Sequence, residues 1–306
     1  MDRLDPQPLI TYRYLRMSLV AVLVMLFAGV ILQTIADHAW QPSISDYYWT
    51  PVRNVFVGAL VALGAGMVVL KPDNELEDVA LNIAGILAPV VAFVPTPQAG
   101  TCNPLPDGGF TPPRPETVAG IGNNIQALFI AGAAALLLLG LSRFVPEKVN
   151  FPELTPGAKL GRRIGFVAIA VIFGYAVIWY LVDNEAFQCQ AHLRAAFTLF
   201  GFIILVVLVN AIGKTRDPGT KHPANLPAWL NIYTAIFVAM ILGLVAGWIL
   251  YRADWGYWVL VVEAVELGLF LFFWIVQTLE LWNRGLRSPR PGPRSLLPQS
   301  HGTAAP

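Results

Sequence analysis

The sequence predicts an all-α protein, a polytopic transmembrane helix bundle of about eight spans. Of its 306 residues, 56% are hydrophobic and only 13% are charged, whereas about 25% of residues are charged in typical soluble domains. Eight apolar stretches approach the roughly 20 residues that a helix needs to cross a bilayer. Lysine and arginine are also unevenly shared between successive connecting segments. Together these observations predict an integral membrane protein.

The predicted helices occupy the long apolar runs of the chain. The first run exceeds the roughly 7–15 apolar residues of a signal-peptide core, so we expect it to be a retained helix. The second and third are short and flank the turn Lys71-Pro-Asp-Asn-Glu75, which predicts a hairpin. The predicted spans are 14–36, 54–70, 78–94, 123–141, 164–182, 195–212, 226–251 and 256–277.

The positive charges predict the orientation, because cytoplasmic segments carry an excess of Lys and Arg. With the N-terminus inside, all but four of the 20 basic residues fall inside. This asymmetry predicts both termini on the cytoplasmic side of the plasma (inner) membrane. The four that fall outside are Arg53, Arg114, Arg194 and Arg252.

The chain divides into a bundle over residues 1–283 and a tail over residues 284–306. The tail is rich in proline and arginine and has no apolar period, so we predict a disordered cytoplasmic segment. Its arginines either contact anionic lipid headgroups of the inner leaflet or only enforce the topology.

The two cysteines, Cys102 and Cys189, both fall in predicted outside connections. Paired cysteines are typical of oxidising compartments. We therefore predict a disulfide that clamps the long connection 96–120 to the segment before the sixth helix. The alternative is two free thiols.

Two carboxyl groups, Glu263 and Glu266, interrupt the last apolar run. A charge at membrane depth costs about 2.5–3.5 kcal/mol on insertion scales. Residues three apart share one helix face, and counting from Trp255 places the two groups roughly 12 and 16 Å deep. Such a pair can bind a cation or relay protons, or it can be a hydrogen-bonded pair that fixes packing. The candidate partners are Arg53, Asn82, Asn123, Asn124 and Gln126.

The first connection carries an Ile44-Ser45-Asp46 element followed by a glycine-containing second helix. Ser45 and Asp46 suit capping positions where a chain re-enters the membrane. Arg53 opens the second helix, where it can pair with Asp46 or reach down to Glu263, and a structural role is the simplest for both residues.

Segments 42–58 and 84–96 together resemble bacterial polytopic membrane proteins of unknown function allied to the Frag/DRAM/Sfk-like group. The resemblance covers roughly the first 100 residues. It implies a membrane protein concerned with lipid organisation and without a known catalytic activity.

A metal site has little support. His192 precedes the sixth predicted helix, and with His38, Asp37, Asp46 and Glu263 it could form an outward-facing cluster. A zinc site needs about three such ligands at one point, but no His-Glu-x-x-His pattern exists. His192 is more simply a connecting residue near the headgroups. No serine has the context of a nucleophile elbow, so no catalytic residue, metal or cofactor is predicted.

The sequence favours a non-enzymatic membrane protein that binds or senses lipid or a small hydrophobic ligand in an outward-facing polar pocket. One alternative is a transporter or channel coupled to protons or cations through Glu263 and Glu266. Another is a metal-dependent hydrolase of the membrane interface. Membrane lipids are the expected partners, whereas nucleic acid is not, because the charges lie in short connections rather than on one face. The candidate ligand- or ion-binding residues are Glu263, Glu266, Asp46, Arg53, Asn123 and His192.

Overall fold

The described part of the protein forms eight α-helices and contains no β-strand, which confirms the all-α prediction. The computed structural model describes residues 6–72, 74–106, 109–142, 144, 156–215, 227 and 229–282. The predicted tail, 284–306, lies outside the described residues. The helices are α1 (Pro6–Asp37), α2 (Arg53–Val69), α3 (Glu75–Phe93), α4 (Pro115–Ser142), α5 (Pro156–Val182), α6 (Asn184–Thr215), α7 (Ile232–Arg252) and α8 (Trp258–Leu281).

Seven of these helices are long and apolar enough to cross a membrane. The other, α2, has 17 residues, close to the lower limit of about 17 for a spanning helix. The chain is therefore a multi-pass membrane protein.

The sixth helix begins earlier than predicted. It starts at Asn184 instead of residue 195, so a single residue, Asp183, separates it from α5. The polar segment 184–194 resembles a connection in composition, but it buries Phe187 and Ala191 on one face. That burial stabilises helix where hydropathy alone predicts none.

The third helix lies at the centre of the fold. It packs against α2 on one side and α6 on another, and α1, α7 and α8 complete a six-helix core. The remaining pair, α4 and α5, packs at the margin, mainly against α3 and α6. Since neither α4 nor α5 belongs to the main core, the buried polar groups considered below all come from the other six helices and their connections.

The predicted hairpin of α2 and α3 is confirmed, and its helices cross at two glycines. A Cβ atom on Gly64 would lie 2.5 Å from the Gly85 carbonyl oxygen, and one on Gly85 would lie 2.7 Å from the Gly64 carbonyl oxygen. Pro89 follows within α3 and has no N–H to bond the carbonyl four residues earlier. That carbonyl belongs to Gly85, and its oxygen faces Gly64 of α2.

Asparagine side chains cap the N-terminal ends of two helices. Asn74 accepts hydrogen bonds from the main-chain N–H groups of Leu76 and Glu77 at the start of α3. Asn231 does the same at the start of α7 and also donates to the Ala211 carbonyl near the end of α6. These caps satisfy helix N–H groups that have no partner within the helix, and the second also ties two helices together.

The predicted disulfide is confirmed. Cys102 and Cys189 are joined across 87 residues, with 5.3 Å between their Cα atoms. The bond attaches the connection after α3 to the first turns of α6. It therefore lies at the end of the bundle where α1 meets α2, the end opposite Lys71.

Reduction of this disulfide is expected to loosen the connection between α3 and α4. The amides of Leu105 and Thr111 bond to carbonyls within that connection. A disulfide that closes a long loop contributes about 2–4 kcal/mol, so their hydrogen exchange should rise by at least about tenfold. Exchange measured by mass spectrometry with and without reductant tests this, with the Asn74-capped amides of α3 as the unchanged control. Equal exchange in both states would show that other contacts hold the connection.

Candidate functional site

The connection between α1 and α2 folds back over one end of the bundle, where residues 43–49 form what we call the cap. Five of these seven residues are buried, namely Ser43, Ile44, Ser45, Tyr47 and Tyr48. A short 3₁₀ helix, Ser45–Trp49, gives the cap its shape. The main-chain N–H of Leu260 in α8 donates to the Pro42 carbonyl at 3.0 Å, so the cap is attached to the start of the last helix.

Glu263 holds the cap from inside the bundle. Its Oε2 accepts from the main-chain N–H of Ile44 at 2.6 Å and of Ser45 at 3.3 Å, and its Oε1 accepts from the Ser45 hydroxyl at 2.8 Å. The side chain is buried. These contacts satisfy N–H groups of a connection that enters an apolar interior, where an unpaired polar group is costly.

Asp46 links the cap to the connection after α3. Its carboxylate accepts from the Ser43 and Thr96 hydroxyls, both at 2.8 Å. The Trp49 indole N–H donates to the Thr96 carbonyl at 3.0 Å. Capping was predicted for Ser45 and Asp46, but Ser43 accepts from the Asp46 N–H, and Ser45 binds Glu263 instead.

The predicted pairing of Arg53 with Asp46 or Glu263 is wrong. The Arg53 guanidinium lies over the Tyr48 ring, 4.2 Å from its centroid, and donates to the Tyr48 hydroxyl. Burial raises the pKa of the Tyr48 phenol, and the Arg53 charge opposes that shift. The phenol is therefore neutral at physiological pH, and the contact is a cation–π pair rather than an ion pair.

Glu266 lies one turn below Glu263 and is completely buried. Neither of its carboxyl oxygens has a hydrogen-bond partner among the described residues. It faces α7 at a glycine, because a Cβ atom on Gly243 would lie 3.1 Å from Glu266 Oε1. Buried polar groups in folded proteins are almost always hydrogen-bonded, so this exception requires an explanation.

The predicted amide partners of the two glutamates are wrong. The Asn82 side chain accepts from Lys71, and Gln126 donates to the Tyr180 hydroxyl. Asn123 is exposed on the marginal helix α4, and no hydrogen bond joins Asn124 to either glutamate in the described part of the chain. For the three α4 amides the reason is that α4 lies outside the main core, whereas Asn82 of α3 lies near the Lys71 end of the bundle.

His192 is buried within α6, which corrects its predicted place in a connection. Its Nδ1 lies 3.1 Å from the Val91 carbonyl oxygen and 2.6 Å from that of Val94. Carbonyl oxygens only accept, so Nδ1 carries a proton, and the ring caps the last turn of α3. The outward-facing cluster of His192, His38, Asp37, Asp46 and Glu263 does not form, because the described residues contain no metal-binding group of three His, Cys, Asp or Glu side chains.

A second polar cluster lies near the Lys71 end of the bundle and was missed by the sequence analysis. Glu77 of α3 accepts from Asn210 of α6 at 2.8 Å and from Gln277 of α8 at 3.3 Å. Gln277 also donates to the Asn210 side chain at 3.0 Å, and Arg16 of α1 donates to the Gln277 main-chain carbonyl at 3.0 Å. All four residues are buried. The available signal was the presence of Asn210 and Gln277 near the ends of apolar runs.

A cleft beside the cap is lined by Trp49, Thr96, Arg114 and Gln188, among others, and has a volume of about 10 Å³. One water molecule needs roughly 10–15 Å³ of such space. The cleft is therefore too small for a lipid chain or a drug-sized ligand in this conformation.

No family model, curated protein or solved structure matches the chain. The geometry of its own residues is therefore the basis for a functional proposal.

Proposed function

We propose that the protein is a membrane transporter coupled to protons or a small cation, with Glu263 and Glu266 as its exchange site. Glu266 carries the proposal, because it is fully buried in α8 and neither oxygen has a hydrogen-bond partner among the described residues. It lies about 12 Å along α8 from the first residue of the helix. Ionisable groups at this depth are rare and mark ion pathways.

Glu263 provides the connection between ion binding and a conformational change. Its carboxyl group accepts three hydrogen bonds from Ile44 and Ser45 of the cap. Hydrogen bonds to a charged group contribute about 1.5–3 kcal/mol, against about 0.5–1.5 kcal/mol for neutral pairs. A proton or cation that arrives at Glu263 therefore weakens its hold on the cap, and the opened cap exposes Glu266.

The orientation we propose places the cap outside and the Lys71 end in the cytoplasm. The lysine and arginine distribution favours this arrangement. The disulfide between Cys102 and Cys189 lies at the cap end, which fits an oxidising extracytoplasmic compartment. In this orientation, in the plasma (inner) membrane, both termini are cytoplasmic.

The hypothesis of a lipid or small hydrophobic ligand remains a prediction. The cap closes the end where an outward-facing polar pocket was expected, and the adjacent cleft holds about one water molecule. We propose that such a ligand binds after the same opening of the cap that ion exchange requires. A lipid that occupies the opened site would be retained in gently solubilised protein and detected by native mass spectrometry.

Glu266→Gln is expected to reduce proton or cation flux by more than about tenfold while the protein remains folded. The reason is that the intramembrane carboxyl group carries the ion. The measurement is pH-dye fluorescence in vesicles that contain the full chain and are driven by a potassium diffusion potential, with sodium present or absent. Glu116→Gln, at an exposed position near the start of α4, is the matched control. Equal flux in the two variants would rule out the proposed exchange site.

A further inference from the structure

The cluster of Arg16, Glu77, Asn210 and Gln277 brings charge and amides together in the interior at the Lys71 end. Each of the four side chains is at least nine-tenths buried, with 1–5% exposure. They come from α1, α3, α6 and α8, so four different helices converge on one point. Asn210 is further fixed by a bond to the Val206 carbonyl at 2.9 Å.

Several polar atoms of this cluster have no partner among the described residues. They include the Nε donor of Arg16 and the Oε1 acceptor of Gln277, and the neighbouring Trp274 Nε1 is also without a partner. The Arg16 side chain already bonds the main-chain carbonyl of Gln277, so this donor and this acceptor belong to residues in contact. One water molecule can accept from the first and donate to the second.

Glu77 is close to the surface although its side chain is buried. It is the third residue of α3, only about 3 Å along the helix axis from the first. At the same end, Lys71 has a side chain that is 60% exposed and pairs with Asp78 at 2.9 Å. Among the described residues of the elements around this end, the other charged side chains are Arg13 and Arg16 of α1, Glu75 of α3, Arg163 of α5, Lys214 of α6 and Glu280 of α8. A proton therefore has a short route between Glu77 and the aqueous phase at the Lys71 end.

An aromatic layer separates this cluster from the glutamates at the cap end. Gln277 follows Glu266 by about 16 Å along α8. The intervening turns of α8 bury Phe270, Phe273 and Trp274 almost completely, and these rings contact one another with centroids 5.4–6.2 Å apart. Closely packed apolar rings exclude water, and ions do not cross a region without water. The two polar regions therefore face opposite ends of the bundle.

We infer that Glu77, with Arg16, Asn210 and Gln277 and a bound water, is a second proton-binding site that exchanges with the Lys71 end. This inference rests on the proposed transport function and extends it to the Lys71 end of the bundle. A proton binds at a Glu77 carboxylate oxygen and leaves from the same oxygen. Asn210 and Gln277 donate to that carboxyl group and hold it in place in both forms.

The test combines infrared spectra of individual carboxyl groups with a measurement of flux, both on the full chain in lipid nanodiscs or vesicles. Infrared difference spectra between acidic and alkaline pH report carboxyl groups that gain a proton. Glu77→Gln is expected to remove one carboxyl band from the wild-type difference spectrum and to stop flux in vesicles. Glu77→Asp should retain a titrating band at a shifted frequency. Glu75→Gln, two residues earlier on α3, is the matched control and should leave flux intact, and any band it removes should differ from that of Glu77.

The outcomes distinguish this site from the transport proposal itself. If the wild-type chain carries no flux but the Glu77 band is present, the second site is retained and the transport function fails. If flux is present in Glu77→Gln at the wild-type rate, or if its infrared spectrum equals that of the wild type, the inference is overturned. If Glu77→Gln does not fold, the band in Glu77→Asp decides, and its absence also overturns the inference.

Discussion

Replacement of Glu263 by alanine is expected to lower the free energy of unfolding by about 3–5 kcal/mol and to detach the cap. The substitution leaves the Ile44 and Ser45 N–H groups and the Ser45 hydroxyl without their acceptor. A buried donor without a partner costs about 1–3 kcal/mol, and the truncated side chain adds a cavity. Unfolding in mixed detergent, followed by circular dichroism, measures the loss, and hydrogen exchange of the Ile44 and Ser45 amides localises it.

Two milder substitutions test whether the loss of stability comes from the hydrogen bonds between Glu263 and the cap. Glu263→Gln keeps one carbonyl acceptor and should lose about half as much as the alanine variant, because neutral hydrogen bonds are the weaker ones. Ser45→Ala removes only the hydroxyl contact and should cost about 1 kcal/mol. The expected order of stability is therefore wild type, Ser45→Ala, Glu263→Gln, Glu263→Ala. If Glu263→Ala were no less stable than Ser45→Ala, the role of the glutamate in holding the cap would be refuted.

Gly85→Ala is expected to destabilise the bundle by about 2–4 kcal/mol, at or above the upper end for overpacked sites. The new methyl group would lie 2.7 Å from both the Gly64 carbonyl oxygen and a Val68 methyl carbon, and 3.3 Å from the Val68 main-chain nitrogen. Main-chain atoms cannot move aside as a flexible side chain can, so α2 and α3 must separate. Unfolding of the purified variant in mixed detergent gives the magnitude.

The matched control for Gly85→Ala lies on the same hairpin. A Cβ atom on Gly58 of α2 would have nothing within 4 Å. Gly58→Ala should therefore be neutral or stabilise by about 0.5–1 kcal/mol, the usual difference between glycine and alanine inside a helix. A similar loss of stability in both variants would mean that the two glycines do not set the distance between α2 and α3.

The helices were predictable because hydropathy depends on single residues and their neighbours. All eight were predicted in the correct order, and α2 was correct to within one residue at each end. The start of α6 was not predictable in this way. Its first turns are polar and become helical because Phe187 and Ala191 are buried against other helices, a contact that no local window contains.

The candidate site was predicted in part. Glu263 and Glu266 were expected to point into the bundle, and both are buried. The partners of Glu263 were not predictable, because its donors are two main-chain N–H groups and one hydroxyl of a connection 218–219 residues earlier. His192 was misplaced for a related reason, since its acceptors are carbonyls at the end of α3. Sequence patterns identify polar residues that are costly to bury in a membrane. They do not show which distant main-chain groups form hydrogen bonds with those residues.

The contact between Glu263 and Ile44 has a consequence for how the protein is made. A ribosome adds about 5–20 residues per second, so roughly 10–45 s pass between synthesis of these two residues, which lie 219 positions apart. During that interval the connection between α1 and α2 has no Glu263 carboxyl group to accept its hydrogen bonds. The connection that follows α1 therefore reaches its final structure only when α8 has supplied Glu263. A nascent chain that stalls within α7 lacks Glu263, so its cap is not held against the bundle. This free cap distinguishes the stalled chain from finished protein for a membrane protease.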